Sequence, residues 1–332
     1  MSSFRTTLPS FEPNFHIDHQ DVVLCLGSCF AQHMAHKLEK HKFNCTANPY
    51  GILYHPLNIS NVLGHCIDGY TYTEQDLVLR DGHYHSWWHH SQLYHTQADI
   101  LLEQLNQIQK VLLQKIKSTS LFIFTFGTAY FYTHLQSQIL VGNCHKIGSK
   151  EFEKKISNTE EITSQYQIVL NKILDINPNA KFIFTVSPIR HTKDGIIENT
   201  RSKATLHLAI SAIQNKISQA NYFPAYEIMM DDLRDYRFYK SDLLHPSDLA
   251  IDYIWDQFSS NLFQEHTKQL NTKIKSLRDA MSHRPFKIES SAHQTFLKQT
   301  LNKVIKTQSA YSFLNFKEEI EGLEKQIIES PQ

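Results

Sequence analysis

This chain has no surplus of either charge: Lys plus Arg and Asp plus Glu both number 33. That balance excludes bulk binding to a nucleic-acid backbone or adhesion to an acidic membrane surface. No apolar run approaches the roughly 20 residues needed to span a bilayer. The opening stretch MSSFRTTLPSFEPNF lacks the apolar core of a signal peptide. Cysteine is sparse and odd in number: Cys25, Cys29, Cys45, Cys66 and Cys144. They form no metal-type pairs, so a disulfide framework and a zinc ribbon are both excluded. A reduced, cytoplasmic protein is the expectation. Glycine is scarce, 10 residues in 332, so each glycine that ends a strand carries information.

What is present is a core and a periodic pattern. Hydrophobic residues make up 41% of the chain, enough for one large α/β domain. After an extended lead-in with Pro9 and Pro13, an apolar run at 22–26 stops at Gly27. A segment with helical spacing then begins (Phe30, Met34, Leu38). Further strands are predicted at 43–47, 121–126 (LFIFTF), 181–186 (KFIFTV) and 222–226. Helices are predicted at 98–117, 162–177, 204–219 and 248–263. The alternation predicts a parallel sheet with helices on both faces, a three-layer α/β/α domain over 1–264. Residues 265–332 are charged and helical without strand signals. They predict a C-terminal appendage that packs on the main domain or on a partner chain, a route to a homo-oligomer. Residues 68–96 hold five clustered histidines and two tryptophans, and read as a lid-like insertion folding over the site. Residues 134–160 read as irregular with a hairpin near 139–141, and 189–204 as a functional loop.

The chemistry concentrates at predicted strand ends, where sites form in such sheets. Gly27-Ser28-Cys29 places small nucleophilic side chains at a strand–turn–helix junction. The pattern is that of a nucleophile elbow, and equally that of an ordinary α/β connection. A helix start there aims N–H groups at the turn and is expected to lower the pKa of Cys29. After the last strand, Asp242 stands three residues before His245. This spacing lets the carboxylate hold the imidazole while its other nitrogen acts as a base, or leaves Asp242 as a helix cap.

Gly27-Ser28-Cys29-Phe30-Ala31 spells the name motif of the GSCFA family, which is assigned to the SGNH (GDSL-like) hydrolase superfamily. The resemblance extends to 48-NPYGILYHPL-57, 125-TFGTAYFY-132, 185–209 and 226–258. It implies a flavodoxin-like sheet and ester hydrolysis or acyl transfer without an organic cofactor. The substrate would be a small-molecule or carbohydrate acyl ester. By register Cys29 takes the nucleophile position, with Ser28 as the alternative, and Asp242 and His245 match the Asp-x-x-His block. Gly51 matches the oxyanion glycine. The block that ends in asparagine elsewhere reads Gly127-Thr128-Ala129 here, so Asn48, Thr128 or the Cys29 N–H would have to substitute. Arg190 and His191 are candidates for binding a carboxylate or carbohydrate hydroxyls, unless Arg190 pairs with Asp231, Asp232 or Asp235. Glu198, Asn199, Ser202 and Lys203 line the same edge or cap a helix. Tyr130, His90 and Ser91 complete the substrate-binding set. Two rival readings stand beside this one. One is a non-catalytic binding protein that keeps the fold. The other is a metal-dependent hydrolase built on His83, His85, His89, His90 and His95, with His85 and His89 on one helix face. The usual metal-ligand signatures are absent.

Overall fold

The computed structural model describes residues 5–9, 12–283 and 285–328; residues 1–4, 10 and 11 of the expected lead-in lie outside that range. The chain builds β1 (Val22–Gly27), α1 (Cys29–Lys40), β2 (Asn44–Ala47) and α2 (Pro56–Ile67). Three short strands follow: β3 (Leu77–Arg80), β4 (His83–Ser86) and β5 (Tyr94–His95). Next come α3 (Ala98–Ser118) and β6 (Leu121–Phe126), then β7 (Tyr130–His134), β8 (Leu140–Val141) and β9 (Phe152–Ile156). The remaining core elements are α4 (Thr159–Ile176), β10 (Lys181–Val186), α5 (Ile196–Lys216), β11 (Ala220–Tyr222), the short α6 (Ala225–Glu227) and α7 (Asp248–Leu262). Three helices end the chain: α8 (Glu265–Met281), α9 (Ser291–Ala310) and α10 (Lys317–Glu324).

The central sheet has five parallel strands in the order β11-β10-β6-β1-β2. This order is that of a flavodoxin-like doubly wound fold. Side chains alternate across a strand, so each apolar run feeds two cores. Leu24, Leu26, Phe122, Phe124, Phe126, Phe182 and Phe184 face α2, α4 and α5. Val23, Cys25, Leu121, Ile123 and Ile183 face α1 and α7. The result is three layers, α/β/α. The rings of Phe124 and Phe184 stack at 5.0 Å across β6 and β10, and each such buried ring stabilises by about 1.5–3 kcal/mol. The terminal helices keep a separate small core around Leu270, Ile274, Leu297 and Val304.

Three regions depart from expectation. Residues 68–96 carry the antiparallel sheet β3-β4-β5, so His85 lies on a strand and shares no helix face with His89. Residues 130–156 are a second antiparallel sheet, β8-β7-β9, instead of an irregular stretch. The two sheets meet through Trp87, which stacks on His134 at 4.4 Å and packs on Val141 and Phe152. Finally, α5 begins at Ile196, eight residues before the predicted start. Its first two turns read as loop because their inward face is polar.

Candidate active site

A cavity of about 550 Å3 opens at the carboxyl ends of the central strands. Cys29 enters it from the start of α1, Thr128 from beyond β6, Arg190 and His191 from beyond β10, and His245 from the loop before α7. Its outer wall is built by Tyr130, Tyr132 and Lys154 of the β8-β7-β9 sheet together with Asn143 and Cys144. None of residues 68–96 lines it.

Gly27 makes the turn at the end of β1 possible. Its φ is +132°, and a Cβ there would collide with the Thr125 carbonyl. Ser28 then caps α1: it is fully buried, and its hydroxyl accepts the Phe30 N–H at 3.3 Å. Cys29, one residue on, is half-buried and faces the cavity. Burial pushes its thiol above the ordinary value. The N–H groups of Cys29 and Phe30 and the ammonium groups of Lys203 and Lys240 oppose that rise without cancelling it. The expected lowering by the helix start is therefore outweighed by desolvation.

His245 is held from one side. Its Nδ1 lies 2.7 Å from Asp242 Oδ2, and Asp242 Oδ1 accepts the N–H groups of Leu244 and His245 at 2.9 Å each. Those donors, the His245 N–H first, pull the Asp242 carboxyl down to about 2. The turn closes only because Leu243 adopts φ +58°, an unusual value for leucine. Among the described residues, no hydrogen bond joins Cys29 to His245.

The first turns of α5 support the floor. Ser202 Oγ accepts the Ala129 N–H at 2.7 Å and lies 3.1 Å from Thr128 Oγ1. Asn199 Oδ1 accepts the His191 N–H at 2.9 Å. Lys203 Nζ donates to the carbonyls of Gly127 and Ser187, both at 2.8 Å. Glu198 accepts the Tyr130 hydroxyl at 2.5 Å, which raises the phenol to about 12. Four polar residues at i, i+1, i+4 and i+5 thus grip the loops after β6 and β10 from one helix face.

Arg190 lines the cavity with its Nε buried and without a hydrogen-bond partner among the described residues. The aspartates that were its alternative partners are engaged elsewhere: Asp231 with Arg234, Asp232 with Arg5, Asp235 with Arg237. His191 beside it is lowered to about 4, chiefly by burial and then by Lys203 and His245. Other expected residues stand apart. Gly51, at φ +76°, donates its N–H to the Asn48 carbonyl at 2.7 Å and packs against His90. Asn48 Oδ1 accepts the Gly27 N–H at 2.8 Å, so it holds the β1 turn from outside the cavity. His90 and Ser91 do not line the cavity. Among the described residues, no group of three or more His, Cys, Asp or Glu is placed to hold a metal ion.

Residues 22–258 match the GSCFA family over most of the chain. The chain belongs to the GSCFA family. Residues 274–329 match a separate unit, the GSCFA domain protein, C-terminal domain, which coincides with the separate core of α8–α10. No curated protein matches the chain. Among solved structures it is similar to one described as the crystal structure of a carbohydrate esterase family 3 from Talaromyces cellulolyticus. The identity is 15% and the TM-score 0.24, over 49% of this chain and 65% of that one. The chain thus spans less than two thirds of that esterase. In this GSCFA chain the sequence reading missed Tyr54, Asn58, Asn143 and Lys154 as cavity residues. Tyr54 sat inside a recognised block and shows how a signal was available. Its carbonyl accepts the N–H groups of Gly127 and Thr128, at 2.8 and 3.2 Å. Lys154 carried no local signal, since its role comes from the packing of a separate sheet.

Proposed function

We propose that this GSCFA protein hydrolyses an acyl ester, or transfers its acyl group, through Cys29. The observation that carries the reading is the shared cavity: a cysteine at a helix N-terminus and an Asp242-buttressed imidazole both open into it. His245 takes the thiol proton as the Cys29 sulfur bonds the acyl carbon, and returns it to the leaving alcohol. Water or a second alcohol then releases the acyl group from the sulfur. Ser28 is the weaker nucleophile candidate, because its buried hydroxyl is committed to the helix cap.

The developing oxyanion has two donors in this reading. One is the Cys29 N–H in the first turn of α1. The other is Thr128. Its Oγ1 accepts the Tyr130 N–H at 3.1 Å and lies 3.1 Å from the Ser202 hydroxyl; with Ser202 donating across that contact, the Thr128 proton is left for substrate. Thr128 thereby serves where Ala129 supplies no side-chain amide. Arg190, which lines the cavity with no ion-pair partner among the described residues, supports recognition of a carboxylate or a ring of hydroxyls on the substrate.

A binding protein without chemistry is the second reading, favoured by the raised Cys29 thiol and by the missing Cys29–His245 hydrogen bond. One experiment separates the two: p-nitrophenyl acetate is added and Cys29 is read by peptide mass spectrometry. The expected result is transient acetylation of Cys29 in wild type, with turnover reduced about 100-fold or more in His245→Ala. Cys29 that stays unmodified in folded protein, or is acetylated equally fast without His245, sinks the catalytic reading.

A further inference from the structure

Lys203 is buried to 2% exposure, and its ammonium donates to two main-chain oxygens, the carbonyls of Gly127 and Ser187. Among the described residues no carboxylate pairs with it. Those two carbonyls lie at the strand ends next to Cys29. The Ser28 N–H donates to the Thr125 carbonyl at 3.1 Å, and Thr128, which follows Gly127, lines the same cavity as Cys29. Ser187 donates its N–H to Phe126, closing the same corner from β10.

A lone buried ammonium is costly unless an opposite charge compensates it. The groups around it are few. His191 is a neutral ring, and Tyr226 presents its ring face at 5.6 Å. His207 lies behind, 3.5 Å from the Glu227 carboxylate, which accepts the Tyr222 hydroxyl at 2.7 and 2.9 Å. Cys29 is the group whose charge favours the ammonium, and its sulfur also feels Lys240.

We propose that Lys203 is a positioning residue that supplies the counter-charge for the Cys29 sulfur as it loses its proton and attacks. This rests on the reading of Cys29 as nucleophile. The thiol proton goes to His245, the sulfur lone pair forms the S–C bond, and the carbonyl π electrons move to oxygen. Lys203 keeps all its protons and lowers the energy of the anionic sulfur from beneath. The electrostatics agree in both directions. Burial lowers Lys203 to about 7 while Cys29 raises it, and Lys203 lowers Cys29 against burial. The charge of one group thus favours the charge of the other.

The test is the pH profile of Cys29 alkylation by iodoacetamide in wild type, Lys203→Met and His245→Ala, with folding checked by circular dichroism. Lys203→Met is expected to move the inflection upward by about one pH unit and to slow labelling about tenfold at pH 6, where the ammonium is charged. A folded Lys203→Met with the wild-type inflection overturns the proposal. If that variant does not fold, lysine carbon NMR on wild type and Cys29→Ala decides. The single lysine that titrates near pH 7 should drop in pKa when the sulfur is removed, and an unchanged value overturns the pairing. Dependence on His245 without dependence on Lys203 defeats this proposal alone. A Lys203 effect in a protein inert to esters keeps the ion pairing and defeats the acyl reading.

Discussion

At the scale of single residues, the site sets burial against charge. Cys29 gains two N–H groups at a helix start, yet desolvation wins and the thiol stays protonated at rest. In the proposed reaction the thiol therefore needs a base, the role proposed for the Asp242–His245 pair. Asp242→Asn should preserve the turn through its side-chain oxygen but weaken the orientation of the imidazole. We expect a fall in kcat of about 100-fold, with KM little changed, measured on p-nitrophenyl acetate. The pH behaviour follows from the depressed carboxyl. Its folded value, about 2, lies below the ordinary 3.8, so the hold on His245 is complete above about pH 4. It is lost as the pH falls through the folded value. Imidazole proton shifts of His245 should show the contact intact at pH 4 and broken near 2. Loss already at pH 4 would mean the carboxylate is not held by the two N–H groups.

At the scale of elements, α5 is the unexpected one. A helix face normally buries apolar side chains, and this one does so only from Leu206 onward. Its first turns instead present Asn199, Ser202 and Lys203, all buried, to the loops after β6 and β10. The polar face explains why the periodicity pointed to a loop there. A helix that spends its inner surface on hydrogen bonds has no apolar stripe to read. Ser202→Ala removes the acceptor of the buried Ala129 N–H. It should cost about 1–3 kcal/mol in urea denaturation. It should also slow ester turnover beyond what stability explains, because Thr128 loses its partner. A variant with wild-type turnover would remove Thr128 from the oxyanion site. The insertion sheets carry a related lesson. The tryptophans of 68–96 marked an important packing surface, but Trp87 supports the β8-β7-β9 sheet and does not cover the cavity.

At the scale of the whole molecule, α8–α10 form their own core and touch the α/β domain through polar contacts and through Phe313, whose ring lies 6.1 Å from that of His19. Lys42 pairs with Glu319, His266 with Asp18, and Arg278 donates to the Lys40 carbonyl. Leu297→Ala should therefore cost about 2–5 kcal/mol locally. It should make residues 285–290 more sensitive to protease, while the Cys29 alkylation profile stays unchanged. A shift in that profile would show that the terminal helices are coupled to the site. Among the described residues no helix is long and apolar enough to cross a membrane.

The sequence by itself determined the elements whose physics is local. Apolar runs ending in glycine became β1 and β6, and the spacing of Asp242 and His245 became a hydrogen-bonded pair. The alternation of strands and helices was enough to specify a parallel sheet with two covered faces. What tertiary structure decided was everything that depends on the surroundings of a side chain. It put Ser28 in a cap and Cys29 in the cavity, although they are adjacent in sequence. It turned Gly51 toward His90 and occupied its N–H. It raised the Cys29 thiol, because desolvation is a property of packing and not of a motif. It brought Lys203 from a helix 174 positions later in the chain to the strand ends beside Cys29. Local pattern encodes backbone conformation, while charge and access at a reactive atom are set by residues distant in sequence, which only the folded chain brings together.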